Sequence, residues 1–276
     1  MSKQSQRECQ PLSRSTRKVG VLDWGVGGFG AVMDLRARGV TSPIVYVSDS
    51  GVTPYGRMDE DALSARVQSM CARLAAEGCD AIVVACNAAS TVLHTVDVGD
   101  VRAVGMIECT ARHLKEWEYA EVGLLGGRRT VESEAYPRAL TALACKTRIR
   151  ARVGQPLSAL VEAGILEGEG LQNAIEEVVA PLRDVSVLVS ACTHYAAIRS
   201  RIERSLPNLE RWIEPATLAV SSMLDTGVVV SERLHRVAVW DPKEDRAFTS
   251  GDGGALARGA FAAFGVVVSD VQKLSG

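Results

Sequence analysis

Two cysteines stand in matched settings and could do acid/base chemistry. Cys86 and Cys192 each close a hydrophobic, strand-like run, D-A-I-V-V-A-C in one half of the chain and V-S-V-L-V-S-A-C in the other. A helix N-terminus lowers the pKa of a thiol from its free value of about 8.5, which makes a thiolate base accessible near neutral pH. The matched settings predict a symmetric acid/base role, whereas core filling is the alternative for cysteine at a strand end.

Polar residues follow each cysteine where a core would continue with apolar ones. Asn87 follows Cys86, and Thr193 and His194 follow Cys192. In an extended segment, His194 and Cys192 point the same way, so His194 could exchange or steer a proton at that sulfur. His94, His113 and His235 have no such context and are interpreted as scaffold.

The two cysteine segments belong to a longer internal repeat. Val19–Asp23 recurs as Val122–Gly126, and Ile107–Glu108 recurs as Ile213–Glu214, at an offset close to that between the two cysteines. The chain therefore reads as two copies of one α/β unit, with Cys86 and Cys192 at equivalent positions.

Strand-like and helical segments alternate, as in parallel βαβ units. The predicted helices include 59–77, 157–164 and 171–182, and the predicted strands are 19–23, 44–48, 81–85, 103–107, 121–125, 147–152, 186–191 and 211–214. We expect an α/β fold of two pseudo-symmetric, doubly wound parallel-sheet domains with the active site in the cleft between them. The predicted boundaries are a flexible tail at 1–17, a first domain at 18–112 plus 216–276, and a second at 113–215.

Chemically useful side chains stand at the predicted carboxyl ends of these strands. They are Asp23, Asp49, Cys86, Glu108 and Cys192. Ligands of open parallel sheets bind beyond that edge, and the facing edges of two domains can enclose a small-molecule site.

Composition narrows the class of partner. The chain has 276 residues, 47% of them hydrophobic, and a formal net charge of −2. Without a basic stripe there is no electrostatic footprint for nucleic acid or an anionic membrane, and no apolar run reaches the roughly 18 residues of a spanning helix. A small-molecule partner and a cytoplasmic location are expected.

Cysteine usage predicts neither a disulfide framework nor a metal site. The seven cysteines are odd in number and include no C-x-x-C pair. We interpret Cys9, Cys71, Cys79 and Cys145 as structural.

A glycine-rich turn offers a competing interpretation. Residues 25–30 satisfy G-x-G-x-x-G after a strand, and Asp49 ends the next strand, as a ribose-binding acid would. Against dinucleotide binding, Asp23 would place negative charge beside a pyrophosphate. The alternative is a tight strand-to-helix turn whose N–H groups hold a carboxylate.

In ordered agreement from Val19 onward, the chain resembles the cofactor-independent aspartate/glutamate racemases. The similar segments are Asp23-Trp24-Gly25-Val26-Gly27-Gly28, Pro54-Tyr55-Gly56, Cys86-Asn87-Ala88-Ala89, Ala191-Cys192-Thr193-His194-Tyr195, Thr130-Val131-Glu132-Ser133, 156–164 and 249–252. The resemblance implies a racemase without pyridoxal phosphate or any other cofactor, in which one thiolate removes the α-proton and the other thiol protonates the opposite face.

Residue roles follow from the resemblance. Cys86 would deprotonate the D-enantiomer and Cys192 the L-enantiomer, supported by Asp23 and His194 respectively. Substrate contacts would come from Trp24, Pro54, Tyr55, Gly56, Asn87, Ala88 and Thr193. Glu162 falls where family members carry a glutamate near the catalytic histidine. The resemblance also implies a homodimer, an amino-acid substrate and, in a walled cell, supply of D-glutamate for peptidoglycan.

Two departures from the family pattern bear on specificity. Trp24 and Ala88 stand where the family has a serine and a threonine that offer hydroxyls to the substrate, and loss of two donors could cost a few kcal/mol. The alternatives are a racemase for a different amino acid, a one-thiol isomerase or decarboxylase, and a non-catalytic ligand-binding relative whose pocket Trp24 fills.

Overall fold

The computed structural model describes residues 18–225 and 238–274, so the predicted tail at 1–17, Cys9 and His235 lie outside the described residues. The strands are β1 Val19–Asp23, β2 Ile44–Ser48, β3 Ala81–Val84, β4 Arg102–Val104, β5 Glu121–Gly126, β6 Arg148–Val153, β7 Val187–Ala191, β8 Arg211–Ile213, β9 Arg246–Thr249 and β10 Val271–Lys273. The α-helices are α1 Phe29–Ala37, α2 Glu60–Ala76, α3 Asn87–Ser90, α4 Met106–Trp117, α5 Arg128–Glu132, α6 Ala135–Ala142, α7 Gln155–Glu162, α8 Glu169–Val179, α9 Arg199–Arg204, α10 Pro215–Leu224 and α11 Gly253–Phe264. Short 3₁₀ helices include Tyr55–Arg57 and Thr193–Ile198.

These strands form two sheets, and every strand pair in the described chain is parallel. The first sheet has the order β10-β9-β2-β1-β3-β4, and the second has the order β6-β5-β7-β8. In each sheet the first strand of the unit lies between the second and third, so β1 and β5 occupy equivalent positions. The predicted α/β class with two parallel sheets is confirmed.

Each sheet is covered by helices, which explains the uninterrupted apolar strands. Along β1, Val19 and Val21 pack in one core cluster with residues of α1 and α10, whereas Leu22 packs in a second cluster with residues of α2. Because successive side chains point to opposite faces, a strand buried on both faces must be apolar throughout.

Helix α4 packs against both sheets. Met106 and Cys109 belong to a core cluster of the first sheet, while Ile107 and Leu114 belong to one of the second. The expected boundary between 112 and 113 falls inside this helix.

The predicted strand at 103–107 was too long, because β4 ends at Val104 and α4 begins at Met106. The turn is at Gly105, where a Cβ would lie 2.8 Å from Leu93 Cδ2. The match of Ile107–Glu108 to Ile213–Glu214 was therefore wrong: Ile213 ends β8 and Glu214 precedes α10, whereas both earlier residues lie in the first turn of α4.

After the second sheet, the chain returns to the first. Helix α10 packs on α1 and α4, and β9 and β10 extend the first sheet beyond β2. Among the described residues, no helix combines the length and apolar character needed to cross a membrane.

Candidate active site

A cavity of about 440 Å³ lies between the two sheets, at the carboxyl ends of their strands. Its walls come from the segments that follow β1, β2, β3, β5 and β7, together with α7. All the predicted site residues line it: Asp23, Trp24, Pro54, Tyr55, Gly56, Cys86, Asn87, Ala88, Cys192, Thr193 and His194.

The two thiols reach this cavity from equivalent positions of the two sheets. Cys86 has extended backbone (φ −141°, ψ 119°) between β3 and α3, and Cys192 has nearly the same conformation (φ −155°, ψ 123°) between β7 and the helix Thr193–Ile198. The sulfurs lie close enough that the charge of Cys192 acts on Cys86. A substrate bound in the cavity is therefore within reach of both thiols.

Asp23 ends β1 and is only 1% exposed. Its Oδ2 accepts a hydrogen bond of 2.9 Å from the Gly28 N–H, while Oδ1 is buried without a hydrogen-bond partner in the described chain. Burial raises the pKa of this carboxyl, with Glu162 acting in the same direction, whereas His194 and the Gly28 N–H oppose the rise. Asp23 thus combines a raised proton affinity with a direct interaction with the Cys86 thiol.

The expected low pKa of Cys86 is wrong for this structure. Burial first, and then the negative charge of Asp23, raise the pKa of this thiol well above its ordinary value. Desolvation disfavours the anion, and a neighbouring carboxylate adds repulsion. Helix α3, with four residues, does not offset the two effects. Burial and Asp23 thus favour the neutral form of this thiol.

The second thiol has a cationic neighbour. His194 Nδ1 lies 3.8 Å from Cys192 Sγ, and His194 Nε2 lies 2.5 Å from Glu162 Oε2. Burial alone would lower the pKa of His194, but contacts with Cys192 and Glu162 and the charge of Asp23 raise it well above 6.5. The raised pKa of His194 thus keeps a positive charge beside the Cys192 sulfur.

The glycine-rich turn is filled by protein groups. The Gly28 N–H binds Asp23 of the same turn. A Cβ on Gly25 would lie 2.5 Å from Glu162 Oε2, and one on Gly27 would lie 2.2 Å from Thr193 Oγ1. The glycines therefore allow Glu162 of α7 and Thr193 to approach this turn closely, and these protein groups occupy the space beside it.

The carboxylate of Asp49 is bound by protein groups and is not free to bind a ribose. Its carboxylate accepts from Arg66 Nε at 2.6 Å, from Arg66 Nη2 at 2.5 Å and from the Tyr55 hydroxyl at 2.7 Å. Asp49 is fully buried, so this ion pair fixes the Tyr55 ring in the cavity wall. The Tyr55 hydroxyl already donates its hydrogen to Asp49, so it can only accept a hydrogen bond from a ligand.

Asn87 is held from the opposite side of the cleft. Tyr136 of α6 donates to Asn87 Oδ1 at 2.6 Å, and Asn87 Nδ2 contacts Met106 Sδ at 3.1 Å. One N–H of the amide remains available, since Nδ2 carries two.

Trp24 lines the cavity without closing it. Its indole N–H donates to the Val52 carbonyl at 3.3 Å, and its ring packs against the core cluster that contains Leu22. Neither Trp24 nor Ala88 offers the substrate a hydroxyl, and the indole N–H is already engaged.

Two cavity arginines, Arg57 and Arg129, were missed in the sequence, together with Gln155 and Ser158. Arg129 follows β5, and the rule that had singled out Asp23 and Cys86 at strand ends would have found it. Glu162 also lines the cavity, on the last turn of α7.

Glu108 was expected at the same edge and does not reach it. It lies on α4 and lines a second cavity of about 310 Å³ together with Thr91, His94, Arg112 and Arg138. The start of α4 at Met106 carries the side chain away from the strand ends.

The remaining cysteines pack as scaffold. Cys71 and Cys79 are buried in the first sheet's core, where desolvation raises the pKa of each thiol to about 12, and Cys145 packs against the second sheet's core. The six cysteines in the described ranges are all free, and no cluster of three or more His, Cys, Asp or Glu in those ranges could hold a metal ion.

Comparison with known proteins gives consistent matches. The Asp/Glu/Hydantoin racemase family model matches residues 32–223. A glutamate racemase of Herpetosiphon aurantiacus is 30% identical over 226 residues, which cover 79% of this chain and 84% of that protein.

Solved structures agree on the architecture. A glutamate racemase from Francisella tularensis, solved with D-glutamate, has a TM-score of 0.81 at 18% identity, covering 94% of this chain and 98% of its own. A glutamate racemase from Thermus thermophilus, solved with β-chloro-D-alanine, has a TM-score of 0.78 at 26% identity, covering 94% and 97% respectively. The first likeness bears on the fold alone.

Proposed function

The chain belongs to the Asp/Glu/Hydantoin racemase family, and from that premise we propose that it interconverts L- and D-glutamate by two-base proton transfer between Cys86 and Cys192. The observation that carries the proposal is the placement of the two thiols, at equivalent strand ends of two sheets, on one cavity. Inversion of a carbon needs a base on one face and an acid on the other, and a reversible reaction needs each group in both roles.

The charges around the two thiols favour Cys192 as the base that removes the proton of the L-enantiomer. His194, whose pKa is raised, holds a positive charge 3.8 Å from the Cys192 sulfur, whereas burial and the charge of Asp23 raise the pKa of Cys86. Cys192 takes the α-proton, and the C–H electron pair passes to the α-carbon and its carboxylate. The Cys86 S–H bond then breaks, and its proton is delivered to the opposite face, which leaves a thiolate at Cys86.

Asp23 and Glu162 support the return to the starting state. Asp23 has a raised proton affinity and interacts directly with the Cys86 thiol, so it can accept and return the proton of Cys86. Glu162 holds His194 at 2.5 Å and sustains its positive charge beside Cys192. Asp23 and His194 thus serve one thiol each.

The developing carbanion is stabilised by fixed dipoles of the cavity wall. Asn87 and Thr193 are both buried, and Asn87 retains an N–H for the substrate carboxylate. Donors that are already oriented need no reorganisation when charge develops.

The test is exchange of the α-proton in deuterated water. We expect L- and D-glutamate to lose the α-proton NMR signal with inversion, and Cys86→Ser and Cys192→Ser each to abolish inversion. Inversion that survives loss of either thiol would exclude the two-thiol mechanism and favour a one-thiol isomerase or decarboxylase.

A panel of other amino acids is included to test for a different substrate. Binding of glutamate without any exchange would instead favour the non-catalytic relative.

We also propose, on the family resemblance, that the chain acts as a homodimer and that D-glutamate made here feeds peptidoglycan synthesis. On the sequence pattern we propose that it is cytoplasmic and that its domains divide at residues 112 and 215, the first of which lies within α4. Light scattering on the purified protein tests the dimer, and limited proteolysis tests the division.

A further inference from the structure

Arg129 reaches from the second sheet across the cleft to the first. It is the second residue of α5, directly after β5, and its side chain is 12% exposed. Its Nε donates to Thr91 Oγ1 at 3.0 Å, and its Nη1 donates to the Met58 carbonyl at 3.1 Å. Both acceptors belong to the first half of the chain, so the guanidinium is held in place at the cavity wall.

Donor capacity remains after these contacts. A guanidinium carries five N–H groups in a planar fork, and only two are used. Nη2 lies 3.6 Å from Glu60 Oε2, which is longer than a hydrogen bond, and the Glu60 side chain is 62% exposed. An exposed, loosely paired carboxylate contributes little and is readily replaced by a ligand's carboxylate.

Arg129 contacts the far end of the helix that follows Cys86. Its partner Thr91 is the residue after α3, while Cys86 is the residue before the same helix. Arg129 and Cys86 both line the cavity, so an acidic group at the end of a substrate side chain can meet Arg129 while the α-carbon lies at the thiols.

Electrostatics favours the same assignment. Trp24 and Ala88 offer no hydroxyl, and Tyr55 can only accept a hydrogen bond. His194 is bound to Glu162, and the other lining arginine, Arg57, is exposed at the surface. Arg129 is therefore the buried cation with donors left for an anionic side chain.

We propose that Arg129 is a specificity-determining residue, which binds the side-chain carboxylate of an acidic amino-acid substrate in place of the hydroxyl donors absent at positions 24 and 88. The assignment rests on the proposed racemase function, because that function places the α-carbon between Cys86 and Cys192.

The experiment compares glutamate with glutamine, which has the same shape but no side-chain charge. Titration calorimetry with equilibrated D,L mixtures measures binding without net reaction, in the wild type, Arg129→Gln and Arg129→Lys. We expect the wild type to prefer glutamate, and R129Q to lose roughly 10- to 100-fold of that preference, the range for one charged hydrogen-bonded contact. R129K should retain part of it, since lysine keeps the charge but not the fork.

The matched control is Arg128→Gln. Arg128 is the adjacent residue of α5, it pairs with Glu132 at the surface with its side chain 61% exposed, and it does not line the cavity. R128Q changes the net charge identically and should keep the glutamate preference. Because the readout is a ratio within each protein, a smaller folded fraction in R129Q does not alter it.

Two outcomes would overturn the assignment. One is a wild type that binds both ligands equally, and the other is an unchanged ratio in R129Q, which with equal losses for both ligands would make Arg129 a structural link between the two halves. Proton exchange is measured separately. If the glutamate preference depends on Arg129 but no α-proton exchange is detected, the racemase proposal is refuted and the role of Arg129 in specificity stands. If exchange is detected but R129Q leaves the ratio unchanged, the racemase proposal stands and the role of Arg129 is refuted.

Discussion

Gly27 lies directly against Thr193, so the turn after β1 and the loop after Cys192 are packed as one unit. A Cβ at Gly27 would come within 2.2 Å of Thr193 Oγ1, 2.6 Å of its Cβ and 2.9 Å of its backbone carbon. Because one of these three atoms belongs to the backbone of Thr193, rotation of the Thr193 side chain cannot make room for the added Cβ. The turn that holds Asp23 beside Cys86 thereby also sets the position of Cys192.

Gly27→Ala should therefore displace the second cysteine. We expect a loss of about 1–3 kcal/mol in the free energy of unfolding, the usual cost of overpacking, and a fall in kcat. Urea denaturation and steady-state kinetics measure the two effects. Gly30→Ala is the control, because its Cβ would meet only Phe264 at 3.6 Å, and it should leave both values nearly unchanged. Equal behaviour of the two variants would contradict the packing argument.

Glu162→Gln should shift the alkaline limb of the pH profile. The pKa of His194 is raised by Cys192, Glu162 and Asp23, so activity that needs the imidazolium is lost as pH rises through that pKa. Removing the Glu162 charge lowers this pKa and moves the loss to lower pH, which kcat/KM against pH will show. Glu167→Gln is the control, since the Glu167 side chain is 86% exposed and lies 3.7 Å from Arg201. If the alkaline limb of E162Q stays at the wild-type pH, the charge of Glu162 does not influence the pKa that limits activity.

The same charged histidine predicts a pH dependence of stability. A folded-state pKa above the unfolded value of about 6.5 means that the stabilising contribution is complete below that unfolded value and is lost as pH rises through the folded pKa. The wild type should lose this part of its stability on the alkaline side. In E162Q, unfolding measured across pH should show a smaller loss that is complete at lower pH.

Asp23→Asn should stabilise the protein while impairing the reaction. Burial raises the pKa of Asp23, so the ionised form destabilises the fold at neutral pH, and a neutral amide of the same shape removes that penalty. The free energy of unfolding should rise, most clearly above the unfolded pKa of about 3.9. A less stable D23N would show that the ionised carboxylate is well solvated or paired.

Kinetically, D23N should separate exchange from inversion. Two enantiomers have an equilibrium constant of one, so kcat/KM must fall equally in both directions. L-glutamate should still exchange its α-proton with retention at Cys192, whereas D-glutamate, which needs Cys86, should exchange much more slowly. NMR in deuterated water with chiral chromatography detects this difference, and equal exchange of both enantiomers would remove Asp23 from the proton path.

Trp24→Ser should lower the free energy of unfolding, and activity should not require this substitution. The partly buried ring packs against the first sheet's core and its N–H satisfies the Val52 carbonyl, so we expect a loss of roughly 2–4 kcal/mol in the free energy of unfolding. The wild-type cavity is already open, hence activity should not depend on removal of the indole. Trp117→Ser, whose ring is 52% exposed, is the control and should cost less. Activity that appears only in W24S would show that the indole blocks the wild-type site.

Local pattern in the sequence was sufficient for the class of fold and for most of the site. Alternating apolar strands and amphipathic helices require parallel sheets, and parallel strands bring their carboxyl ends to one edge. Asp23, Cys86 and Cys192 could therefore be placed together before any contact was known. Repetition of the unit further implied that the thiols are equivalent.

Contacts between distant segments were decided only by the tertiary structure. The helix that begins at Met106 carries Glu108 away from the carboxyl ends of the strands, and Arg129 reaches across the cleft to Thr91. Neither placement follows from the spacing of these residues along the chain. The pKa of Cys86 is raised, whereas the helix that follows it led us to expect a lowered pKa. Burial and the charge of Asp23 outweigh the dipole of this four-residue helix. Periodicity is a property of neighbours in the chain, whereas desolvation and charge depend on everything packed within a few ångströms, and that is determined by the folded arrangement alone.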